Sequence, residues 1–141
     1  MEKSRKVLIA EVFINDAIKK VWNLWTHSRH IKNWNNTSDD WHTPQAENDL
    51  RINGKLFLRM ERKDGSEGFD YTCIYTDIVK YKKISYTTAD NRKSTVLFSR
   101  LENGVKLTEI FEPEHETPIE TQQAFSQSIL NSFKRYVEKL D

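Results

Sequence analysis

Apolar positions along this chain change their period as the chain proceeds. From Val7 to Ile14 they are dense and partly β-branched over a stretch too short for a helix, with Glu11 as its charge, which predicts a first strand. Asn15 or Asp16 then stands where a helix cap belongs, and Ile18, Val21, Trp22 and Trp25 follow at the i, i+3, i+4, i+7 spacing of an amphipathic helix. A second short helix is expected from Ser28, with Ile31 and Trp34 on one side. Asn35 to Pro44 reads as a polar, turn-rich loop, although it holds Trp41 and His42, for which a solvated loop has little use.

Period two then takes over. Strands are expected near Ala46 to Arg51, Lys55 to Lys63, Phe69 to Val79, Lys83 to Thr88, Ser94 to Leu101 and Val105 to Glu112. Between them stand the hairpin signals Asn53-Gly54, Asp64-Gly65, Asp90-Asn91 and Asn103-Gly104. Tandem hairpins favour antiparallel pairing. The helical period returns at the end: Thr117 and Glu120 have capping-box spacing with Pro118 at the first helical position. Phe125, Ile129, Phe133, Tyr136, Val137 and Leu140 then form one stripe of a helix about 33 Å long at about 1.5 Å per residue. The predicted fold is α+β: a seven-stranded antiparallel sheet gripping a long C-terminal helix, with two short helices after strand 1.

Alternation also predicts faces. Val105, Leu107, Glu109 and Phe111 share one side of the last strand, Phe69, Tyr71, Cys73 and Tyr75 one side of the longest, and Phe57 sides with Arg59 and Glu61. If these faces meet the terminal helix, Arg59, Glu61 and Glu109 point inward and need partners or water.

Composition adds limits. The 141 residues suit one domain, and 22 Lys plus Arg against 21 Asp plus Glu leave no long-range field to draw in nucleic acid or anionic lipid. The opening Met1 to Lys6 leads into an apolar run too short for a signal peptide or membrane span, so a soluble cytoplasmic protein is expected. Cys73, the single cysteine, reads as a buried, inert thiol.

Several stretches resemble a known family. They are Val21-Trp22-Asn23-Leu24-Trp25, Trp41-His42-Thr43-Pro44 leading to Ala46 through Arg51, Gly54-Lys55, Arg59-Met60-Glu61, Asp64-Gly65, Gly68-Phe69-Asp70 and Thr108 through Glu114, with the closing amphipathic helix. Over nearly its whole length the chain resembles the START-like, helix-grip superfamily (SRPBCC) of polyketide cyclases and ligand carriers. More narrowly it is similar to the domain family named for the activator of Hsp90 ATPase homologue. The resemblance implies a cavity between sheet and terminal helix that takes a lipid, aromatic or polyketide-like molecule. In the co-chaperone that names the family, such a domain accompanies a separate Hsp90-binding domain.

The candidate site combines Arg59, Glu61 and Glu109 as pocket-polar groups with Trp41 and His42 at its mouth. Trp25, Phe57, Tyr71, Tyr75, Phe125 and Ile129 are the expected apolar and aromatic walls. The competing reading makes Arg59, Glu61 and Glu109 a structural ion-pair network. His27, His30 and His42 lack the further ligands at recognisable spacing that zinc sites show, and no metal or cofactor is expected. Three functions follow as expectations: a binder of a small hydrophobic or aromatic molecule, a cyclase- or hydrolase-type enzyme using Arg59 with Glu61, Glu109 or His42, and a protein-interaction module partnered by an Hsp90-type chaperone or a second copy of the chain.

Overall fold

The computed structural model describes residues 6–140; Met1 to Arg5 and Asp141, including most of the charged opening read above, lie outside them. The elements run β1 (Leu8–Ile14), α1 (Ile18–Thr26), α2 (Ser28–Trp34), β2 (Trp41–Asn48), β3 (Lys55–Arg62), β4 (Gly68–Val79), β5 (Lys83–Thr88), β6 (Lys93–Leu101), β7 (Gly104–Phe111) and α3 (Ile119–Lys139). The strands form one antiparallel, seven-stranded sheet in the order β1-β7-β6-β5-β4-β3-β2. This is the predicted α+β helix-grip architecture, with α3 packed chiefly on β1 and the two short helices.

The turns carry the expected chemistry. Asn53 and Asn91 take positive φ (69° and 67°), which asparagine tolerates better than most residues. Gly54 has no room for a side chain, since a Cβ there would lie 2.0 Å from the Asp49 carbonyl oxygen.

β2 begins at Trp41, five residues before the expected Ala46, so Trp41 and His42 belong to a strand rather than a loop. Pro44 is tolerated because β2 is an edge strand and its register against β3 shifts between His42 and Gln45. The start of α3 also differs. The Thr117–Glu120 capping box does not form: Pro118 occupies the cap position without a side-chain bond. Glu114 instead accepts from the Glu116 and Thr117 amides at 3.0 and 2.6 Å, tying down the approach to the helix. Asp16 likewise precedes the actual α1 cap, Ala17, and accepts from its amide at 2.8 Å.

Of the predicted stripe of α3, Phe133 and Val137 are fully buried, Leu130 joins them, and Phe125 and Ile129 line a cavity. Phe133 makes edge contacts with Trp25 and Trp34, whose rings stack 4.6 Å apart between centroids. The other end of the stripe is polar: Gln122 and Ser126 precede Leu130 at four-residue steps. The core therefore fills the space under the second half of α3. Under the first half it does not.

Candidate functional site

A cavity of about 470 Å³ lies under that first half of α3, between it and the inner faces of β3 to β7. Pairing register decides which side chains reach it. On β3, Leu58 and Met60 are buried, and they stand opposite Tyr71 and Phe69 of β4. Successive strand residues point to opposite faces, so Phe57, Arg59 and Glu61 face outward. The inward expectation for these three is corrected accordingly, and none of them lines the cavity. Arg59 donates to Glu61 Oε2 at 2.9 Å and to Asp70 Oδ1 at 3.1 Å on the outer surface. Its guanidinium lies over Gly68, where a Cβ would come within 2.6 Å of Nη2. His42, opposite Glu61 in the ladder, sits 3.8 Å from that carboxylate.

Six of the predicted wall and polar residues do meet at the cavity: Trp25, Tyr71, Tyr75, Glu109, Phe125 and Ile129. Trp41 contacts Phe69 with ring centroids 5.9 Å apart, and a side recess of about 30 Å³ beside it also touches His42, Phe125 and Ile129. Phe69 and Phe125 are 42% and 43% exposed, which places the cavity's outlet between the β3–β4 hairpin and the start of α3.

The polar centre is Glu109. Tyr86 Oη donates to Glu109 Oε2 at 3.2 Å, Ser126 supplies a second side-chain hydrogen bond, and Tyr71 is hydrogen-bonded to Tyr86. Glu109 is half-buried and lines the cavity, and the protein around it strips its carboxyl of much of its hydration. That desolvation pushes its carboxyl above the usual carboxylate range, although hydrogen bonds from Tyr86 and Ser126 pull the other way. Burial likewise raises the phenols of Tyr71, Tyr75 and Tyr86, so all three remain neutral donors. Tyr75 uses its hydroxyl on Asn48 Oδ1 at 2.6 Å. Cys73 is buried and its thiol is pushed up to about 12 by desolvation, which leaves it unreactive.

Tyr86, Ser126 and Arg92 are site residues that the sequence reading missed. Tyr86 was accessible to it, because Ile84, Tyr86 and Thr88 alternate on one side of β5 and all three line the cavity. Ser126 carries no apolar signal. Arg92 borders the cavity from the β5–β6 turn, with Nε on Asp90 at 2.7 Å and Nη1 on the Glu112 carbonyl at 3.3 Å. Among the described residues no group of His, Cys, Asp and Glu is arranged to hold a metal ion, and no helix is long and apolar enough to cross a membrane.

The family model described as "Activator of Hsp90 ATPase homolog 1-like protein" matches residues 17–138. The AHSA1-like protein from Aeromonas hydrophila superposes with a TM-score of 0.90 at 36% identity, covering 95% of this chain and 93% of that one. Chr148 from Cytophaga hutchinsonii gives 0.81 at 39% identity, covering 94% and 92%. CV1439 from Chromobacterium violaceum, at 16% identity and 0.84 over 94% and 98%, shares the fold. No curated protein matches the chain.

Proposed function

The chain belongs to the activator of Hsp90 ATPase homolog 1-like family, and from that premise we propose that it binds a small, largely apolar or aromatic molecule in the cavity beneath the first half of α3. No reaction is assigned to it. The observation that carries this reading is the change along the inner stripe of α3, from Val137, Phe133 and Leu130 to Ser126 and Gln122, where the helix crosses the cavity. A space of this size beside a packed core forgoes dispersion contacts that a bound molecule would restore. Its volume and its mainly apolar walls with a few convergent polar groups suit small-molecule sites. Native mass spectrometry after exposure to a metabolite extract tests the reading. A small-molecule adduct is expected on the wild type and in reduced yield on a folded Ile129→Trp variant, whose indole intrudes on the cavity. Equal adducts on both would place binding elsewhere.

A second reading, an acid–base enzyme, contracts to Glu109 with Tyr86 and Tyr71, because Arg59 and Glu61 lie on the outer face of the sheet and His42 at its edge. A desolvated carboxyl beside neutral phenols favours it. Its test is a bound molecule that is chemically altered by the wild type and unaltered, though still bound, by Glu109→Gln. A protein-partner reading draws on the family's name and on exposed Ile9 and Phe13 of edge strand β1, with exposed Val7 just before it. It predicts retention of an Hsp90-type chaperone or concentration-dependent dimerisation, and a monomer that retains neither contradicts it.

A further inference from the structure

We propose that the cavity selects a ligand with an apolar body and a cationic amine, the amine docking on Glu109. This rests on the reading of the cavity as a ligand site and adds the chemical class of its occupant.

The argument starts from the balance of charges in the lining. Among the described residues the lining holds two acidic residues, Glu109 and Glu114, and one guanidinium, that of Arg92, with no lysine or histidine; the Glu114 carboxylate accepts from the Glu116 and Thr117 amides. Arg92 is committed to Asp90 and to the Glu112 carbonyl. Glu109 is held by the neutral donors Tyr86 and Ser126. A carboxylate has about four lone-pair sites, so acceptor capacity remains on a group that faces the cavity. An ammonium fills that capacity with a charge-assisted hydrogen bond, roughly twice as strong as a neutral one. The carboxyl is already desolvated by the fold, so the incoming amine adds only its own dehydration cost.

The remaining walls reinforce the choice. Trp25, Trp34 and Tyr86 present aromatic rings to the cavity, and ring faces attract cations. Leu58, Met60 and Phe111 offer an apolar bed for the body of the molecule. A fatty acid or other anion would bring like charge against Glu109 and Glu114, which selects against it. A neutral alcohol fits but forgoes the charge-assisted bond.

The experiment is calorimetric titration, below micelle-forming concentrations and at neutral pH, with decylamine, decanol and decanoate, which differ only in their head. The wild type is expected to bind decylamine about tenfold or more tighter than decanol, and decanoate weakest. In Glu109→Gln, which keeps an acceptor for Tyr86, the amine advantage should vanish while decanol affinity stays within about threefold. Decanoate binding as tightly as decylamine, or an amine preference that survives in Glu109→Gln, overturns this inference and leaves the cavity reading standing. If none of the three binds, the cavity reading falls and this inference with it. Should Glu109→Gln fail to fold, the order of the three ligands on the wild type decides alone.

Discussion

Tyr86 Oη on β5 lies 3.2 Å from Glu109 Oε2 on β7, a hydrogen bond that spans the intervening strand β6 along the floor of the cavity. The bond forms because Ile84, Tyr86 and Thr88 on one strand and Leu107, Glu109 and Phe111 on the other share the concave face. An acidic group is thereby fixed in an otherwise mostly apolar chamber.

Glu109 should make stability depend on pH in a definite direction. Its folded carboxyl titrates above the reference value of 4.5, so its contribution is fully present below that value and is lost as pH rises through the elevated one. Glu109→Gln removes this loss. The stability of Glu109→Gln relative to wild type should therefore grow from acid to neutral pH, by about 1.4 kcal/mol for each tenfold fall in the acid dissociation constant of Glu109 on folding, and then level off. Urea denaturation across that range measures it. A difference independent of pH would contradict the desolvated carboxyl.

Phe133 and Phe125 should separate stability from binding. Phe133 is fully buried against Trp25 and Trp34, whereas Phe125 is 43% exposed at the outlet. Phe133→Ala should cost about 3–5 kcal/mol in chemical denaturation, as core truncations of aromatic residues do. Phe125→Ala should cost about 1 kcal/mol or less and alter ligand affinity instead. Equal losses of stability at both positions would remove the distinction.

Gln127 should matter through the edge of the sheet. It accepts from the Glu11 amide at 3.4 Å and donates to the Glu11 carbonyl at 2.9 Å, while Lys134 donates to Phe13 O at 2.7 Å and Glu138 accepts from the Asn15 amide at 2.8 Å. Gln123 also donates to the Ile9 carbonyl. Side chains of α3 thus occupy hydrogen-bonding positions along edge strand β1, a place where another chain would otherwise pair. Gln123→Ala combined with Gln127→Ala should lower stability by about 1–3 kcal/mol and promote self-association in sedimentation experiments. A fully monomeric double variant of unchanged stability would refute this role.

Arg59→Ala and Glu61→Gln provide the contrast. Both side chains lie on the outer face with Asp70, so ligand affinity should be unchanged in titrations that detect the loss of Glu109. A marked drop in affinity from either would put the site on the wrong face.

Parts of this arrangement were legible in the sequence for simple reasons. Asn53-Gly54 and Asp90-Asn91 mark chain reversals through local backbone preference, and β7 alternates cleanly enough to place Glu109 inward. Along β3, however, Leu56, Leu58 and Met60 interleave with Phe57, Arg59 and Glu61, and the single aromatic in the second set suggests the wrong parity. The fully apolar set is the inner one. In α3, Ile129 and Leu130 are adjacent and both apolar, which leaves the helix rotation ambiguous by about 100°. Leu130 is the fully buried member, and Ile129 lines the cavity. Pro44 and a register shift conceal the start of β2, so the local sequence around Trp41 has the character of a loop.

Amide chemical-shift mapping with decylamine tests the central claim most directly, because it locates the bound molecule. Saturable shifts concentrated at Tyr71, Tyr86, Glu109, Ser126 and Ile129, with Arg59 and Asp70 unmoved, are the predicted result. Shifts confined to the outer face of the sheet, or none at concentrations that saturate comparable cavities, would contradict it.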